Sequence, residues 1–385
     1  MNILCYTSIF PSQCTPTHGI FVHELVRGLS GLTQVEMVVP ESGWACLRKR
    51  TSRLGSSSFQ ICKEHRCRFW TVPKLLKTFD ASLMAYFSHT AFKAAFNGKP
   101  DLVHAHYAYP DAAAAAILAN RARLPLVVTC HGSDINFLAR ESDRKMHIVQ
   151  TLRQAAAVIT VSADLHDKVM ALGVPPDRIW TIPNGVDVSV FELGDKSQAR
   201  SKLELDDSSP LLLAVGRLEP VKGYDRLLRA LVHLPHARLI LAGQGSLRQS
   251  LERLATSLGI NSRVHFAGDV PHHKLATYFQ AADLLVISSH SEGWPTTIHE
   301  ALACGTPVVA PAIGGIPDAL ADPNLGVLID TGEPDNLAQG IRQAMNTSWT
   351  PSNLHKAAAL HDWLSIAAKH VQLYENILAS TSTKN

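Results

Sequence analysis

The chain has 385 residues, a net charge of +3 and an apolar content of 46%. Its length predicts two domains, because one domain usually takes about 100–200 residues. The net charge is too small to indicate nucleic-acid binding, and no apolar stretch reaches the roughly 18 residues that predict a transmembrane helix. The N-terminus lacks a basic segment before its first apolar run, so we expect no signal peptide. The seven cysteines include no CxxC pair, which favours reduced thiols in a cytoplasmic protein.

The first half of the chain alternates predicted strands and helices. Residues 2–6 predict a strand, the segment up to Gly19 predicts a loop, and the apolar period of residues 20–29 predicts a helix. This order opens a nucleotide-binding α/β unit, in which the backbone at Gly19 can approach a ligand closely. Further strands are predicted at residues 35–39, 101–104, 126–129 and 157–161.

Residues 44–77 interrupt this alternation and are strongly basic. They contain nine lysines and arginines against one acidic residue, Glu64, which gives the segment a net charge of +8. Trp44, Phe69 and Trp70 are interleaved with the cations. One interpretation is a patch that binds an anionic membrane surface or an anionic acceptor, since each basic residue near such a surface contributes about 1 kcal/mol. The other is an irregular, solvated insertion, and the sequence favours neither.

Several histidines follow predicted strands of the first half. His131 and Asp134 come directly after the strand at residues 126–129, and His104 and His106 end the neighbouring strand. Ligands of α/β sheets bind at the carboxyl ends of strands, which makes His131 a candidate site residue. A metal held by His104, His106 and His131 is conceivable, but no acidic partner lies at a diagnostic spacing, and we predict no metal site.

A polar, irregular stretch separates the two halves of the chain. We place the domain boundary in it, near residues 188–208. The first domain is predicted at residues 1–190, the second at residues 208–360, and a C-terminal helix at residues 361–385 is predicted to cross back to the first domain. The second half repeats the alternation with short loops, which favours parallel sheets. We therefore predict an α/β fold of two Rossmann-like, doubly wound parallel-sheet domains with a cleft between them.

Two loops of the second half carry residues that suit a phosphate ligand. Arg217 and Lys222 lie on a loop bounded by glycines, where arginine would give a forked contact to a diphosphate and lysine a point charge. The next strand is followed by the Gly-Gln-Gly turn at 243–245, and Ser246 is predicted to cap the helix after it. A single cation or a lone Gly-x-Gly turn is weak evidence of a site.

The stretch around Glu292 is the most informative part of the sequence. A buried strand is predicted to end before the turn that holds Glu292, and Pro295 suits the first position of the following helix. Thr296 and Thr297 lie in the first helical turn, where backbone N–H groups can hold an anion. Glu300 lies further along the same helix. Two carboxylates then flank one helix N-terminus, which suits a phosphate between them, a diol on one carboxylate and a sugar near the other.

As a set, these motifs resemble glycosyltransferase family four, a large family of retaining enzymes with the GT-B fold of two Rossmann-like domains. The resemblance covers nearly the full length of the chain, and its most specific part is the block with the two glutamates. It is carried by Gly19 and by residues 131–134, 183–187, 216–223 and 292–309.

The resemblance implies roles for the candidate residues. Arg217 and Lys222 would hold the donor diphosphate, and Glu300 would hold the ribose. His131 would contact the transferred sugar from the other domain, and Glu292 would hold that sugar without acting as a nucleophile. Val270 would lie near the base. The implied catalytic residues are His131 and Glu292, and the implied nucleotide-sugar-binding residues are Gly19, Arg217, Lys222, Val270, Gly293, Trp294, Thr296, Thr297 and Glu300.

Two positions depart from the family pattern. His18 precedes Gly19 where the family often has paired glycines, and Trp294-Pro295 replaces the common Phe-Gly. Because Pro295 has no N–H, one backbone contact to the donor is lost. We expect this departure to bear on which sugar fits.

The implied function is retaining transfer of a sugar from a nucleotide-sugar to a hydroxyl of a glycan or lipid-linked acceptor, in surface polysaccharide or glycolipid biosynthesis. A UDP-sugar is the favoured donor and a GDP-sugar is the alternative. No metal or cofactor is expected, because two cations and a helix N-terminus would stabilise the developing diphosphate charge. We expect a cytoplasmic protein, peripheral on the inner face of the membrane if residues 44–77 bind it. The alternative functions are a nucleotide-sugar epimerase on the same fold and a non-catalytic nucleotide-sugar-binding protein.

Overall fold

The computed structural model describes residues 1–12, 15, 18–48, 61–71, 77–206 and 209–382. The chain forms two compact units: unit 1 comprises Met1–Gly185 and Trp363–Asn385, and unit 2 comprises Val186–Asp362. Within the described ranges, no helix is both long and apolar enough to span a membrane.

Strands and helices alternate through both units. The strands are β1 (Asn2–Tyr6), β2 (Gln34–Ser42), β3 (Lys63–Phe69), β4 (Leu102–His106), β5 (Leu126–Cys130), β6 (Ala157–Thr160), β7 (Ile179–Thr181), β8 (Leu211–Val215), β9 (Arg238–Ala242), β10 (Val264–Gly268), β11 (Leu284–Val286), β12 (Val308–Pro311) and β13 (Gly326–Ile329). The α-helices are α1 (Ile20–Ser30), α2 (Gly43–Arg48), α3 (Asp80–Phe96), α4 (Ala113–Ala122), α5 (Ser133–Asn136), α6 (Ser142–Gln154), α7 (Ala163–Ala171), α8 (Lys196–Lys202), α9 (Tyr224–Val232), α10 (Arg248–Ser257), α11 (Leu275–Ala281), α12 (Thr296–Ala303), α13 (Ile316–Ala319), α14 (Pro334–Met345), α15 (Pro351–Ala359) and α16 (Trp363–Ser382).

Unit 1 is built on one parallel sheet. Its described strands follow the order β3-β2-β1-β4-β5-β6-β7. Inner strands such as β5 are buried along their whole length, as expected for parallel strands covered on both faces. The order of the first six strands is that of dinucleotide-binding Rossmann folds, in which ligands bind at the carboxyl ends of the strands beside the reversal of order. In unit 1 the reversal lies between β1 and β4.

Unit 2 repeats this arrangement. Its described strands form a parallel sheet in the order β10-β9-β8-β11-β12-β13, which reverses between β8 and β11. The same pattern of apolar strands and short loops that appears in the sequence therefore produces the same topology twice. The predicted fold of two Rossmann-like, doubly wound parallel-sheet domains is confirmed.

A strand lies inside the basic segment 44–77. β3 pairs in parallel with β2 at the edge of the sheet, where the sequence predicted either a patch or an irregular insertion. The prediction of irregular structure is wrong for this part, because an edge strand carries charged side chains that hide its apolar alternation. Residues 49–60 and 72–76, which hold four of the basic residues, lie outside the described residues.

The charges on and beside β3 are paired. Arg66 contacts Glu41 at 2.6 Å and Glu64 at 2.7 Å. Lys63 contacts Glu36 on the neighbouring strand at 3.3 Å. These cations are therefore partly neutralised within unit 1, which reduces what they can offer to an external anion.

The stretch near residues 188–208, where the sequence predicted the domain boundary, packs into unit 2. Phe191 is fully buried, with its ring centroid 5.9 Å from that of Phe279. The buried Arg200 guanidinium contacts Asp283 at 2.7 Å. These partners lie in unit 2, so the polar composition of this stretch does not mark a free linker.

The C-terminal helical stretch is divided between the units. α15 belongs to unit 2, and α16 belongs to unit 1 and packs against α1. Gly28 permits this close approach, because a Cβ there would lie 3.0 Å from Ala367 Cβ and from the Trp363 carbonyl oxygen. Ile366 and Tyr374 of α16 are fully buried in the core that α1 shares.

Candidate functional site

The loops after β8 and β11 lie side by side at the carboxyl end of the unit 2 sheet. The His290 N–H donates to the Val221 carbonyl at 2.8 Å, and the Ser288 hydroxyl donates to the Lys222 carbonyl at 2.9 Å. Gly223 permits this approach, because its φ is +61° and a Cβ there would collide with the Ser288 carbonyl oxygen. The backbone therefore joins the two loops that carry the predicted phosphate and sugar residues.

Lys222 and Glu292 form an ion pair across these loops. Lys222 Nζ lies 2.7 Å from Glu292 Oε1, and the two side chains are 25% and 10% exposed. The Ser289 hydroxyl donates to the same carboxylate oxygen at 2.5 Å. Arg217, on the loop after β8, is exposed. The structure thus brings a carboxylate, a lysine and a hydroxyl together, with an exposed arginine on the same loop as the lysine.

Ser246 ties a third loop to this region. It does not cap α10, contrary to the prediction, and α10 begins at Arg248. The Ser246 N–H and hydroxyl instead donate to the two carboxylate oxygens of Glu219 at 3.0 and 2.7 Å. Ser246 therefore binds Glu219 on the loop after β8 and does not cap the helix that follows it.

Glu300 is held by a histidine. This carboxylate lies on α12, is 5% exposed, and accepts a hydrogen bond from His272 Nε2 at 3.0 Å. The His272 ring meets the Phe191 ring nearly edge-on, with centroids 5.1 Å apart. Val270 is half-buried in the loop after β10, two residues before His272. The side chain that binds the predicted ribose residue thus lies two residues after the predicted base residue.

The first backbone N–H groups of α12 are not capped by a side chain of the preceding residue. Pro295 precedes the helix and has no side-chain oxygen to cap it, and Thr296 and Thr297 form its half-buried first residues. The first N–H groups of a helix have no partner within that helix. This end of α12 can therefore bind an anion.

Trp294 is part of the unit 2 interior. Its ring is 8% exposed and stacks on His299, with centroids 5.2 Å apart and planes at 18°. Within the described part of the chain, the Trp294 indole N–H and His299 Nδ1 have no hydrogen-bond partner. Gly293, the residue before Trp294, is half-buried in the turn. Only the backbone of Trp294 is therefore placed to contact a nucleotide-sugar. Its side chain packs against α12 in the core.

In unit 1, Phe21, which follows Gly19 by two residues, contacts His131. Gly19 has a φ of +75° at the start of α1, and a Cβ there would collide with the Ile9 carbonyl oxygen. Phe21 packs against the His131 ring with centroids 4.7 Å apart. Both predicted residues of the first domain therefore lie at the carboxyl edge of the unit 1 sheet.

Asp134 fixes the loop that carries His131. Its carboxylate accepts backbone N–H groups from Ala108 at 2.9 Å, Gly132 at 2.9 Å, Ile135 at 3.1 Å and His131 at 3.2 Å. Burial raises the pKa of Asp134, and these backbone hydrogen bonds act in the opposite direction. A carboxylate occupied in this way holds the loops after β4 and β5 in place.

Three histidines lie at or beneath this edge of unit 1. Burial lowers the pKa of His131 to about 3 and holds the pKa of His104 and of His106 well below the usual value. All three rings are therefore neutral at ordinary pH.

One group of candidate metal ligands occurs among the described residues. Cys5, His104 and His106 bring one ligand atom each within 4.8 Å of one another. His104, however, already binds the Thr129 hydroxyl at 2.7 Å through Nε2 and the Tyr374 hydroxyl at 2.8 Å through Nδ1. A metal would have to displace one of these hydroxyls, and the absence of a metal site stays a prediction.

Two family models match the chain. Residues 18–190 match the model described as Glycosyltransferase Family 4, and residues 195–361 match the model described as Glycosyl transferases group 1. The chain belongs to glycosyltransferase family four. The family resemblance carried by the sequence motifs is thereby confirmed.

Curated relatives of this family-four protein include the D-inositol 3-phosphate glycosyltransferases of Mycobacterium tuberculosis and Mycobacterium bovis. Both are 36% identical to the chain over an alignment of 280 residues, and the match covers 69% of this chain. The match spans 58% of the length of these relatives.

Solved structures with the same fold include sucrose-phosphate synthase from Thermosynechococcus elongatus, with a TM-score of 0.79 and 22% identity over 99% of this chain and 100% of that chain. HepE from Anabaena, solved in complex with UDP, has a TM-score of 0.77 and 22% identity over 98% of this chain and 100% of that chain. At this identity the likeness shows the fold.

Three residues that the sequence analysis did not select contact the site of this family-four protein. Ser289 binds Glu292, and His272 binds Glu300. Gly314 lies directly against the Glu292 backbone. Each carries a weak local signal, such as the serine-rich end of a strand or the paired glycines at Gly314. None could be assigned from that signal, because a residue's partner in another loop is set by the fold.

Proposed function

We propose that this protein is a retaining, metal-independent glycosyltransferase that moves a sugar from a nucleotide-sugar to a hydroxyl of a glycan or lipid-linked acceptor. The observation that carries the proposal is the joined pair of unit 2 loops, where Lys222 and Glu292 meet beside α12 at the carboxyl edge of a Rossmann-like sheet. We favour a UDP-sugar over a GDP-sugar, since HepE has been solved with UDP and with UDP-glucose. The retaining outcome and a role in surface polysaccharide or glycolipid synthesis rest on the family resemblance.

Arg217 and Lys222 would bind the donor diphosphate. Lys222 faces Glu292 at 2.7 Å, so a diphosphate would approach a carboxylate that already has a cation beside it. Lys222 between two anions reduces their mutual repulsion. The helix dipole of α12 adds a partial positive charge at its N-terminus. These fixed charges would stabilise the negative charge that develops on the leaving diphosphate.

Glu300 would bind the ribose diol. His272 donates to its Oε1, which leaves Oε2 for a ribose hydroxyl. A carboxylate placed in this way serves the same purpose in dinucleotide-binding folds. His272 would hold the carboxylate in position while the nucleotide binds.

His131 and Glu292 would contact the transferred sugar. The bond from the sugar to the phosphate oxygen breaks, and its electron pair leaves with the diphosphate. The acceptor hydroxyl then bonds to the sugar on the face of the leaving group, and its proton passes to the leaving phosphate oxygen. His131 is neutral, because burial lowers its pKa to about 3. It can therefore bind a sugar hydroxyl without placing a positive charge beside the oxocarbenium-like transition state.

A donor screen tests the proposal. UDP-, GDP- and ADP-sugars are compared by thermal shift, since a donor at a hundredfold excess over its Kd stabilises the protein by about 2.7 kcal/mol. Turnover is then measured as acceptor-dependent release of nucleoside diphosphate. Interconversion of the donor sugar without acceptor would indicate an epimerase. Donor binding without turnover on any acceptor would indicate a non-catalytic binding protein.

The ribose assignment is tested with Glu300→Gln. A hydrogen bond to a charged group contributes about 1.5–3 kcal/mol, so donor affinity in calorimetry should fall about 10- to 100-fold. Glu192→Gln, an exposed glutamate of the same unit, is the matched control and should bind donor normally. Equal affinity in the two variants would remove Glu300 from the ribose site.

We further propose that the protein works in the cytoplasm and attaches to the inner face of the membrane through the basic residues at 48–50. Flotation with anionic liposomes should recover the protein at low salt and lose it at high salt, because surface charges are screened. Arg48, Lys49 and Arg50 changed together to Gln should abolish flotation. The matched control changes the exposed cations Arg121, Arg123 and Lys145 to Gln. Unchanged flotation in the first variant, or no flotation of the unmodified protein, would reject attachment through this segment.

A further inference from the structure

The rings of His106 and His131 are joined by a direct hydrogen bond. His106 Nδ1 lies 3.2 Å from His131 Nε2, with ring centroids 5.4 Å apart and planes at 25°. His106 is the last residue of β4, and His131 follows β5, so neighbouring strands hold the two rings in place. A neutral imidazole has one N–H and one acceptor nitrogen. One ring must therefore donate and the other accept, and their tautomers are coupled.

Two arrangements of the ring protons are compatible with this hydrogen bond. In the first, His106 donates from Nδ1, and His131 keeps its own proton on Nδ1. In the second, His131 donates from Nε2, and His106 keeps its proton on Nε2. A doubly protonated ring is not available at ordinary pH, because burial lowers the pKa of both histidines.

His104 is fixed by other partners and does not compete for this bond. Its two ring nitrogens bind the hydroxyls of Thr129 at 2.7 Å and Tyr374 at 2.8 Å. Its ring packs against the His106 ring with centroids 4.2 Å apart. In the part of the chain that the structure describes, His131 is therefore the hydrogen-bond partner of the His106 ring.

The two nitrogens outside the bond distinguish the arrangements. His106 Nε2 and His131 Nδ1 are both shielded from solvent and have no hydrogen-bond partner among the described residues. Each arrangement makes one of them an N–H and the other an acceptor. Buried N–H groups without a partner are rarer than buried acceptors without one, so the N–H belongs on the less enclosed of the two rings. His106 is fully buried against His104, whereas His131 is half-buried at the edge of the sheet beside Phe21.

We infer that His106 is a positioning residue that donates from Nδ1 to His131 Nε2 and thereby fixes the His131 proton on Nδ1, as a donor to a hydroxyl of the transferred sugar. The contact with the sugar rests on the proposed function, and the tautomer does not. Without His106, His131 would populate both tautomers and could rotate. The sugar hydroxyl would then face the His131 Nδ1–H for only part of the time.

Tautomers are read directly by NMR of the full-length protein labelled with ¹⁵N-histidine, with His131→Gln to assign the His131 signals. In the unmodified protein we expect His131 to be protonated on Nδ1. His106→Asn should retain this state, because the amide N–H takes the place of the Nδ1 donor, and His106→Leu should give a mixture. His370→Leu removes another buried histidine, whose Nδ1 donates to the Ile366 carbonyl at 2.9 Å, and should leave the His131 tautomer unchanged.

A His131 proton on Nε2 in the unmodified protein would overturn the inference, as would an unchanged His131 tautomer in His106→Leu. Both results are obtained without substrate, and the first decides the matter even if His106→Leu does not fold. In turnover assays, His106→Leu should lower kcat about tenfold with little change in donor KM, and His106→Asn should restore it. If the expected tautomer is found but no donor is turned over, the proposed function fails and the pairing of His106 with His131 stands.

Discussion

Gly314 supports Glu292 from the loop after β12. Its φ is +53°, and a Cβ at this position would collide with the Glu292 carbonyl oxygen. Because the Glu292 side chain binds Lys222 and Ser289, a shift of its backbone would also disturb both of these contacts. Gly314, on another loop, thus helps to set the position of Glu292, the residue proposed to bind the sugar.

We predict that Gly314→Ala lowers both stability and donor affinity. A left-handed backbone costs a residue with a Cβ about 1–2 kcal/mol, and the collision adds to that, so we expect a loss of at least about 2 kcal/mol in the free energy of unfolding. Gly259→Ala is the matched control, since its φ is +69° but nothing lies within 4 Å of the added Cβ. Urea denaturation and donor calorimetry measure the two effects. Equal losses in both variants would mean that the contact with Glu292 does not matter.

At the scale of the element, α12 shows two sides with different tasks. Its N-terminal end offers the first-turn N–H groups, and one side carries Glu300, which is bound by His272. The other side carries His299, which is buried beneath Trp294. Trp294, which departs from the family pattern, therefore packs in the core of unit 2 against this helix. A change in donor choice at this position would act through the backbone of the turn.

The burial of His299 predicts that unit 2 loses stability in acid. Burial, and secondly the nearby His361, lower the pKa of His299 to about 3, whereas an unfolded histidine titrates at about 6.5. Between these values the unfolded state binds a proton that the folded state does not, so the free energy of unfolding falls as the pH falls. From pH 7 to pH 5 this amounts to about 2 kcal/mol.

Urea denaturation at pH 7 and pH 5 measures this loss. His299→Phe keeps a ring against Trp294 and should make the unfolding of unit 2 less dependent on pH. His236→Gln, at an exposed histidine of the same unit, should leave the dependence unchanged. A pH dependence that survives His299→Phe intact would show that other groups cause it.

The sequence predicted most elements because both sheets consist of buried apolar strands followed by short loops. The strand, turn and helix around Glu292 are encoded locally by an apolar run, a glycine and a proline. β3 was not recognised because its residues are mostly charged, and their partners Glu36 and Glu41 lie on another strand. The same reason applies to Ser246, which binds Glu219, and to His272, which binds Glu300. The residue types in the sequence indicated the chemistry of the site. Which residues pair between loops could be seen only in the folded structure.

At the scale of the molecule, α16 completes the core of unit 1 from the far end of the chain. It buries Ile366 and Tyr374 beside α1, and its Tyr374 hydroxyl binds His104. Removal of residues 363–385 should therefore expose the apolar side of α1 and unfold unit 1, while unit 2 keeps its complete core. Hydrogen exchange, followed separately for peptides of each unit, measures this outcome.

Tyr374→Phe is the matched control for the truncation. It keeps the buried ring and removes only the hydroxyl that binds His104. We expect a loss of about 1–3 kcal/mol in unit 1 without unfolding, because one ring nitrogen is left without its partner. Protection of unit 1 peptides that survives the truncation would show that α16 is dispensable for the core.

The path of the chain also sets the order in which the two units can fold during synthesis. Unit 2 ends at Asp362, so all of its residues have been synthesised before α16 is made. Unit 1 begins first but lacks α16 until the residues after unit 2 have been synthesised. The nascent chain therefore carries the uncovered apolar side of α1 throughout the synthesis of unit 2, a stage at which exposed apolar surface favours aggregation. The second unit in the sequence is the first that can complete its core.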